Sequence, residues 1–366
     1  MSKNNFSKNF SATLLRWHKK NERELPWKKT NDAYTIWLSE IILQQTRIVQ
    51  GTPYYLRFVK SFPTVHHLAK AKEDDVMKLW QGLGYYSRAR NLHATAKIIS
   101  KDFEGEFPAS FVELKKLKGI GEYTAAAISS FAFNLPHAVV DGNVFRALAR
   151  IFGIEKDILS NEAKKYFTEL ANELLDKKNP AAFNQAMMDF GAMVCKPQNP
   201  LCENCPFAKN CFALQKNKVN ELPVKAAAEK LKKRYFNFII IKTERGFLIE
   251  KREGNDIWKG LYQFPLIETK KKISIGELMK QDEWKKLFSK NNLPDGSQVS
   301  VKQTSNWETQ LLSHQKLFVR FVEVKDLSRK LKVGSQQQKF LTKTTFKKFS
   351  FPKIIVDFLK KSLLSI

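Results

Sequence analysis

The sequence is short of acid. Asp and Glu total 36 of 366 residues against 63 Lys and Arg, which leaves a formal charge of +27 at neutral pH. So basic a chain points to a polyanionic partner, because each phosphate neutralised by Lys or Arg releases condensed counterions. Nucleic acid leads, and an anionic membrane surface is the weaker rival. Long apolar runs are missing too: none approaches the roughly 18 uninterrupted residues of a membrane-spanning helix, and Met1 to Lys8 lacks the apolar core of a secretory signal. A soluble intracellular protein is therefore expected. There is no internal repeat and no long low-complexity tract.

Cysteine is scarce, and none occurs before residue 195. The four present, Cys195, Cys202, Cys205 and Cys211, read C-x6-C-x2-C-x5-C, with Pro197, Pro200 and Pro206 breaking any helix through them. In an intracellular setting such a cluster points to a metal rather than to disulfides, with the four thiolates converging on one point. Zinc and iron-sulfur clusters both accept four thiolates. Structural zinc sites favour two short hooks, and only one is present here, so the spacing favours a 4Fe-4S cluster bound for structure.

At 366 residues the chain has room for two cores. Residues 10–215 read as successive helices punctuated by Pro and Gly, including one from Ile36 to Gln50 and one from Asp74 to Leu79. The lysine-rich stretch 216–234 reads as a linker. Beyond it, Tyr235 to Ile241 and Phe247 to Glu250 flank a turn and predict a β-hairpin, Leu317 to Val324 predicts a further strand, and Gly276 to Lys290 predicts helix. The last third is thus an α+β domain spanning 235–366.

Four segments carry chemistry. Leu114 to Ala125 places Gly119-Ile120-Gly121 between two helical stretches, as a phosphate-binding helix-hairpin-helix does, although an ordinary helix turn has the same pattern. Asp141 precedes Gly142-Asn143 and a renewed helix; it is either an N-cap alone or a fixed negative charge beside the hairpin. Glu40 sits among Trp37, Leu38, Ile41 and Ile42. It is either a desolvated general acid or a residue on a solvated helix face. Gly82 to Arg90 interleaves Tyr85 and Tyr86 with Arg88 and Arg90, which suits base stacking and phosphate contact, or a core tyrosine pair beside a solvated arginine face.

Together, Leu38-Ser39-Glu40, Leu43-Gln44-Gln45-Thr46, Gly82-Leu83-Gly84-Tyr85-Tyr86, Val140-Asp141-Gly142-Asn143-Val144, Phe183 to Met188 and the four cysteines resemble the helix-hairpin-helix, iron-sulfur DNA glycosylases, and within them the adenine DNA glycosylases. The resemblance covers nearly the whole chain. It implies a mainly α glycosylase domain over residues 1–215, with the hairpin near 114–125 and a 4Fe-4S lobe formed by the N-terminal segment and about 141–215. A Nudix-like 8-oxoguanine recognition domain follows the linker.

The activity so implied is removal of adenine mispaired with 8-oxoguanine or guanine in duplex DNA, by a monomer in the nucleoid of the bacterial cytoplasm, in contact with replication or repair proteins. Glu40 would protonate adenine N7, and Asp141 would stabilise the sugar cation, positioned by Tyr123 and Asn143. Trp27, Lys28, Leu43 and Gln185 would lie at the adenine pocket. Gln45, Tyr85, Arg88, Gly119 and Gly121 would meet DNA, and Ser313 with His314 would read 8-oxoguanine.

Tyr123 stands where strand-cleaving, endonuclease III-like members carry a Schiff-base lysine, so base removal without efficient β-elimination is expected. A glycosylase/lyase and a non-catalytic DNA-binding or zinc protein are the alternatives. Three positions depart from the family pattern. Lys28 stands where some relatives carry Arg, Leu312 replaces a Phe, and Gln310 occupies a frequent His position. The glutamate-rich box of a working Nudix hydrolase is absent.

Overall fold

The computed structural model describes residues 3–226, 231–290, 299–325 and 338–363. Its helices are α1 (Lys3–His18), α2 (Ala33–Leu43), α3 (Ile48–Ser61), α4 (Val65–Lys70), α5 (Glu73–Trp80), α6 (Ser87–Asp102), α7 (Phe111–Lys116), α8 (Glu122–Phe133), α9 (Gly142–Phe152), α10 (Asn161–Leu174), α11 (Pro180–Met193), α12 (Phe212–Gln215), α13 (Ile275–Met279), α14 (Asp282–Lys290) and α15 (Lys353–Phe358). The strands are β1 (Lys232–Ile240), β2 (Lys242–Thr243), β3 (Gly246–Lys251), β4 (Tyr262–Gln263), β5 (Leu266–Thr269), β6 (Val301–Thr304), β7 (Glu308–Leu311), β8 (Gln315–Val324) and β9 (Gln338–Leu341). The chain divides into two compact units, residues 1–71 with 91–227, and residues 72–90 with 228–366. No helix among the described residues is long and apolar enough to cross a membrane.

The first unit is built around α2. Asp32 caps it by accepting from the Tyr34 and Thr35 amides, and Tyr34 and every residue from Ile36 to Ile42 is buried, so this helix is apolar all round, as a central helix must be. It packs on α8, whose Thr124 to Ser130 are small or aliphatic and entirely buried. The helix expected over 36–50 is two helices: α2 stops at Leu43, Gln45 adopts a left-handed φ of 53°, and α3 starts at Ile48. The break turns Gln45 out to solvent. A second core joins α1 to α9, α10 and α11, with Phe10 stacked on Phe207 at 4.6 Å. Leu222, from the first part of the expected linker, is buried in that core, and residues 227–230 of the same stretch lie outside the described residues.

The second unit is α+β. β1 runs parallel to β8 over nine residue pairs and antiparallel to β5, and β6 and β7 both pair with β8. β3 pairs with β2, β4 and β9 in a second sheet. The expected hairpin is therefore corrected. Tyr235 to Ile240 belongs to the first sheet, and only Lys242–Thr243 folds back on β3, because β1 buries both faces and finds partners on both sides. The helix expected over 276–290 is likewise two short ones, α13 and α14, which bring Leu278, Trp284 and Phe288 onto Ile239, Ile241 and Val322.

Candidate active site

Glu40 lies on α2 with 7% of its surface exposed, which excludes the solvated-face alternative. Burial pushes its carboxyl up to about 7, the nearby Asp141 charge adds to that rise, and a hydrogen bond from Tyr123 opposes it. The Tyr123 hydroxyl donates to Glu40 Oε2 at 2.7 Å. Tyr123 opens α8 directly after the hairpin, and burial raises its own phenol well above the usual range.

Asp141 caps α9. One oxygen accepts the Asn143 and Val144 amides, each at 2.8 Å, and the other accepts Asn143 Nδ2 at 2.7 Å. Burial raises this carboxyl, while those three hydrogen bonds and the charge of Arg146 favour the anion. Asn143 is held in turn by Arg146, whose guanidinium also binds the Gly191 and Cys195 carbonyls. Only glycine fits at 191, since a Cβ there would stand 2.6 Å from Asn143 Cβ. Of the two residues expected to position Asp141, Asn143 hydrogen-bonds it, and the Tyr123 hydroxyl donates to Glu40.

Both carboxylates open into one cleft of about 1780 Å³, with Trp27, Lys28, Leu43, Tyr123 and Gln185 in its walls. Lys28 and Gln185 do not point freely into it. Each donates to Asp189, at 2.6 and 3.3 Å, as does Arg23 at 2.7 Å. Sequence reading missed Asp189. Its one local signal is the i+4 spacing from Gln185 on α11, while its cationic partners lie more than 160 residues away.

Gly119 turns the hairpin at φ 81°, and a Cβ there would meet Asn91 Cβ at 2.8 Å. Gly121 is the extended N-cap of α8 with open space around it, which leaves the first amides of a twelve-residue helix approachable. Tyr85, Arg88, Ser313 and His314 belong to the second unit. Tyr85 is exposed, has a left-handed φ of 45°, and its hydroxyl hydrogen-bonds Ser313 Oγ. Ser313 and His314 sit exposed in the turn closed by Leu312 and Gln315. Arg88 is half-buried, its guanidinium lying over the rings of Trp80 and Tyr85.

Cys195, Cys202, Cys205 and Cys211 line a single small cavity with Arg150, Ile151 and Phe190. Among the described residues no three ligating side chains close on a single-ion site. The four thiols are gathered around one small cavity. Burial pushes the Cys205 thiol up to about 12, with the other three cysteines adding to the rise. Arg150 Nη1 lies 3.6 Å from Cys195 Sγ and ties the loop through the Lys196, Pro197 and Leu222 carbonyls.

Two family models match, that of the HhH-GPD superfamily of base excision DNA repair proteins over residues 38–173 and that of the NUDIX domain over residues 237–361. The chain is 40% identical over 254 residues to the adenine DNA glycosylase of Buchnera aphidicola subsp. Acyrthosiphon pisum (strain APS), covering 69% of this chain and 73% of that relative. It is 40% identical over 222 residues to the adenine DNA glycosylase of Homo sapiens, covering 58% and 41%. Among solved structures, a thermostable thymine-DNA glycosylase superposes with a TM-score of 0.55 at 30% identity, over 59% of this chain and all of that one. A trapped endonuclease III–DNA covalent intermediate shares the fold at a TM-score of 0.51 and 21% identity, over 59% and 99%.

Proposed function

The chain belongs to the adenine DNA glycosylase family, enzymes of base excision repair that hydrolyse N-glycosyl bonds, and on that premise we propose that it releases adenine mispaired with 8-oxoguanine or guanine in duplex DNA. Adenine's glycosidic bond and N7 are shielded inside the duplex, so the nucleotide leaves the stack and enters the cleft that Glu40 and Asp141 share. Gln45 fills the vacated space, and Tyr85 also meets the duplex. Both are exposed tips on left-handed backbone, a conformation that costs about 1–3 kcal/mol for a residue other than glycine.

In the cleft, protonated Glu40 gives its proton to adenine N7 and converts a poor leaving group into a neutral one. Asp141, kept anionic by three N–H donors, stabilises the positive charge that grows on the deoxyribose as the bond lengthens. Glu40, now ionised, takes a proton from the water that adds to the sugar. Tyr123 offers a phenol where a lyase needs an amine, so the product is an intact strand with an abasic site. Ser313 and His314 read the 8-oxoguanine opposite.

The four cysteines would hold a 4Fe-4S cluster, which supplies the folding free energy of its lobe. The single observation that carries the reading is the pair of unequal carboxyls in one cleft, one pushed up to about 7 by burial and the other capping a helix and accepting three N–H donors that favour its anion. The test uses duplexes with adenine opposite 8-oxoguanine, guanine or thymine. Strand breakage confined to the first two, and appearing only after hot alkali, is expected. Breakage without alkali at equal efficiency identifies a lyase, and no abasic site in any duplex overturns the reading.

A further inference from the structure

Asp189 gathers more charge than any group used in that chemistry. Its side chain on α11 is fully buried, and it binds Arg23 and Lys28, each at 2.6 Å, with His18 Nε2 at 3.1 Å. His18 ends α1, and Arg23 and Lys28 come from the segment that follows it and leads through the single helical turn Pro26–Lys28 to α2. That segment also carries Trp27, so one carboxylate anchors the cleft wall it forms.

We propose that Asp189 is a positioning residue for adenine release: it holds the Lys28 ammonium and Arg23 guanidinium, charged and in fixed places, on the wall of the cleft that receives the base. The inference rests on reading that cleft as the site of adenine release. A buried ammonium without a counter-ion sheds its proton or forces its way to water. The side chain of Lys28 is 8% exposed. Burial pulls its amine down, and Asp189 opposes that pull. The other charges facing Lys28 are Arg23, which works against its ammonium form, and Glu22, which favours it, while His18 occupies the same carboxylate. The two cations thereby stay charged in the cleft wall, where their field stabilises the electron density that a departing purine gains.

The experiment follows single-turnover adenine release by the full-length holoenzyme from acid to alkaline pH. In the wild type the alkaline decline tracks one proton, that of Glu40. In Asp189→Asn, Lys28 loses the carboxylate that opposes its burial and releases its proton at lower pH, so the decline steepens towards two protons. Adding Lys28→Arg, whose guanidinium stays charged, restores the one-proton slope, which a change in folding stability alone does not do.

A one-proton slope in Asp189→Asn, with the rate lowered equally at every pH, overturns the proposal. Should Asp189→Asn fail to fold, Asp189→Glu keeps the charge and displaces the carboxylate by one methylene. A roughly tenfold lower rate with unchanged duplex affinity is then expected, and a wild-type rate overturns the proposal. Wild-type protein that releases no adenine sinks the proposed function itself, whereas a working wild type with indifferent variants sinks only the role of Asp189.

Discussion

Tyr123 donates its phenolic hydrogen to Glu40 Oε2 across 2.7 Å, joining the first turn of α8 to the last turn of α2. The bond stabilises the ionised carboxyl, and burial acts the other way and wins. Glu40 is thus an acid poised close to neutrality, with a donor in place for the moment after its proton has gone.

Glu40→Gln is expected to abolish adenine release and to leave affinity for the mispair largely intact. In the wild type, release should fall about tenfold per pH unit above the Glu40 value near 7, as the proposed role of its protonated form requires. Stability carries the same signature. The carboxyl holds its proton more tightly folded than unfolded, so its contribution is complete below the ordinary value of 4.5 and is lost as pH rises through about 7. Denaturation across that window should cost the wild type on the order of 3 kcal/mol that Glu40→Gln does not lose. A wild-type rate in the variant removes Glu40 from the mechanism.

Asp141→Asn separates capping from catalysis. Asn still accepts the α9 amides, so the cap weakens by less than about 1 kcal/mol. Loss of the negative charge should nonetheless slow bond cleavage by about 10²–10³-fold. Thermal melting beside single-turnover kinetics decides the matter, and parallel small losses in both would reduce Asp141 to a helix cap.

Cys205→Ser should bleach the visible absorption of the cluster and lower the melting temperature, as should stripping iron with a chelator. Thiolate ligation of the proposed cluster would couple its binding to the folding of this lobe. A bleached protein of unchanged melting temperature would show that the lobe folds without it.

Replacing Ser313 and His314 by Ala should chiefly erode the preference for 8-oxoguanine over guanine opposite the adenine, measured as a ratio of single-turnover rates. Both side chains are exposed, so stability should change by no more than about 0.5 kcal/mol. Equal losses on the two substrates would argue against recognition by this turn.

Local patterns were enough to read the cysteine spacing, the Gly119-Ile120-Gly121 hairpin, the helical first half and the α+β last third, because each depends on neighbours within a few turns of chain. Asp141 was legible as a helix cap for the same reason. Long-range contacts decided the rest. Only the fold joins Tyr123 to Glu40 across 83 residues, and only the fold brings Asp189 to Arg23 and Lys28 across more than 160. The break at Gln45 and the two partners of β1 were hidden likewise, since burial against distant elements overrode the local periodicity. Burial raises both carboxyls, and what separates them is that Asp141 alone accepts three N–H donors beside the Arg146 charge, a set that the fold completes in space.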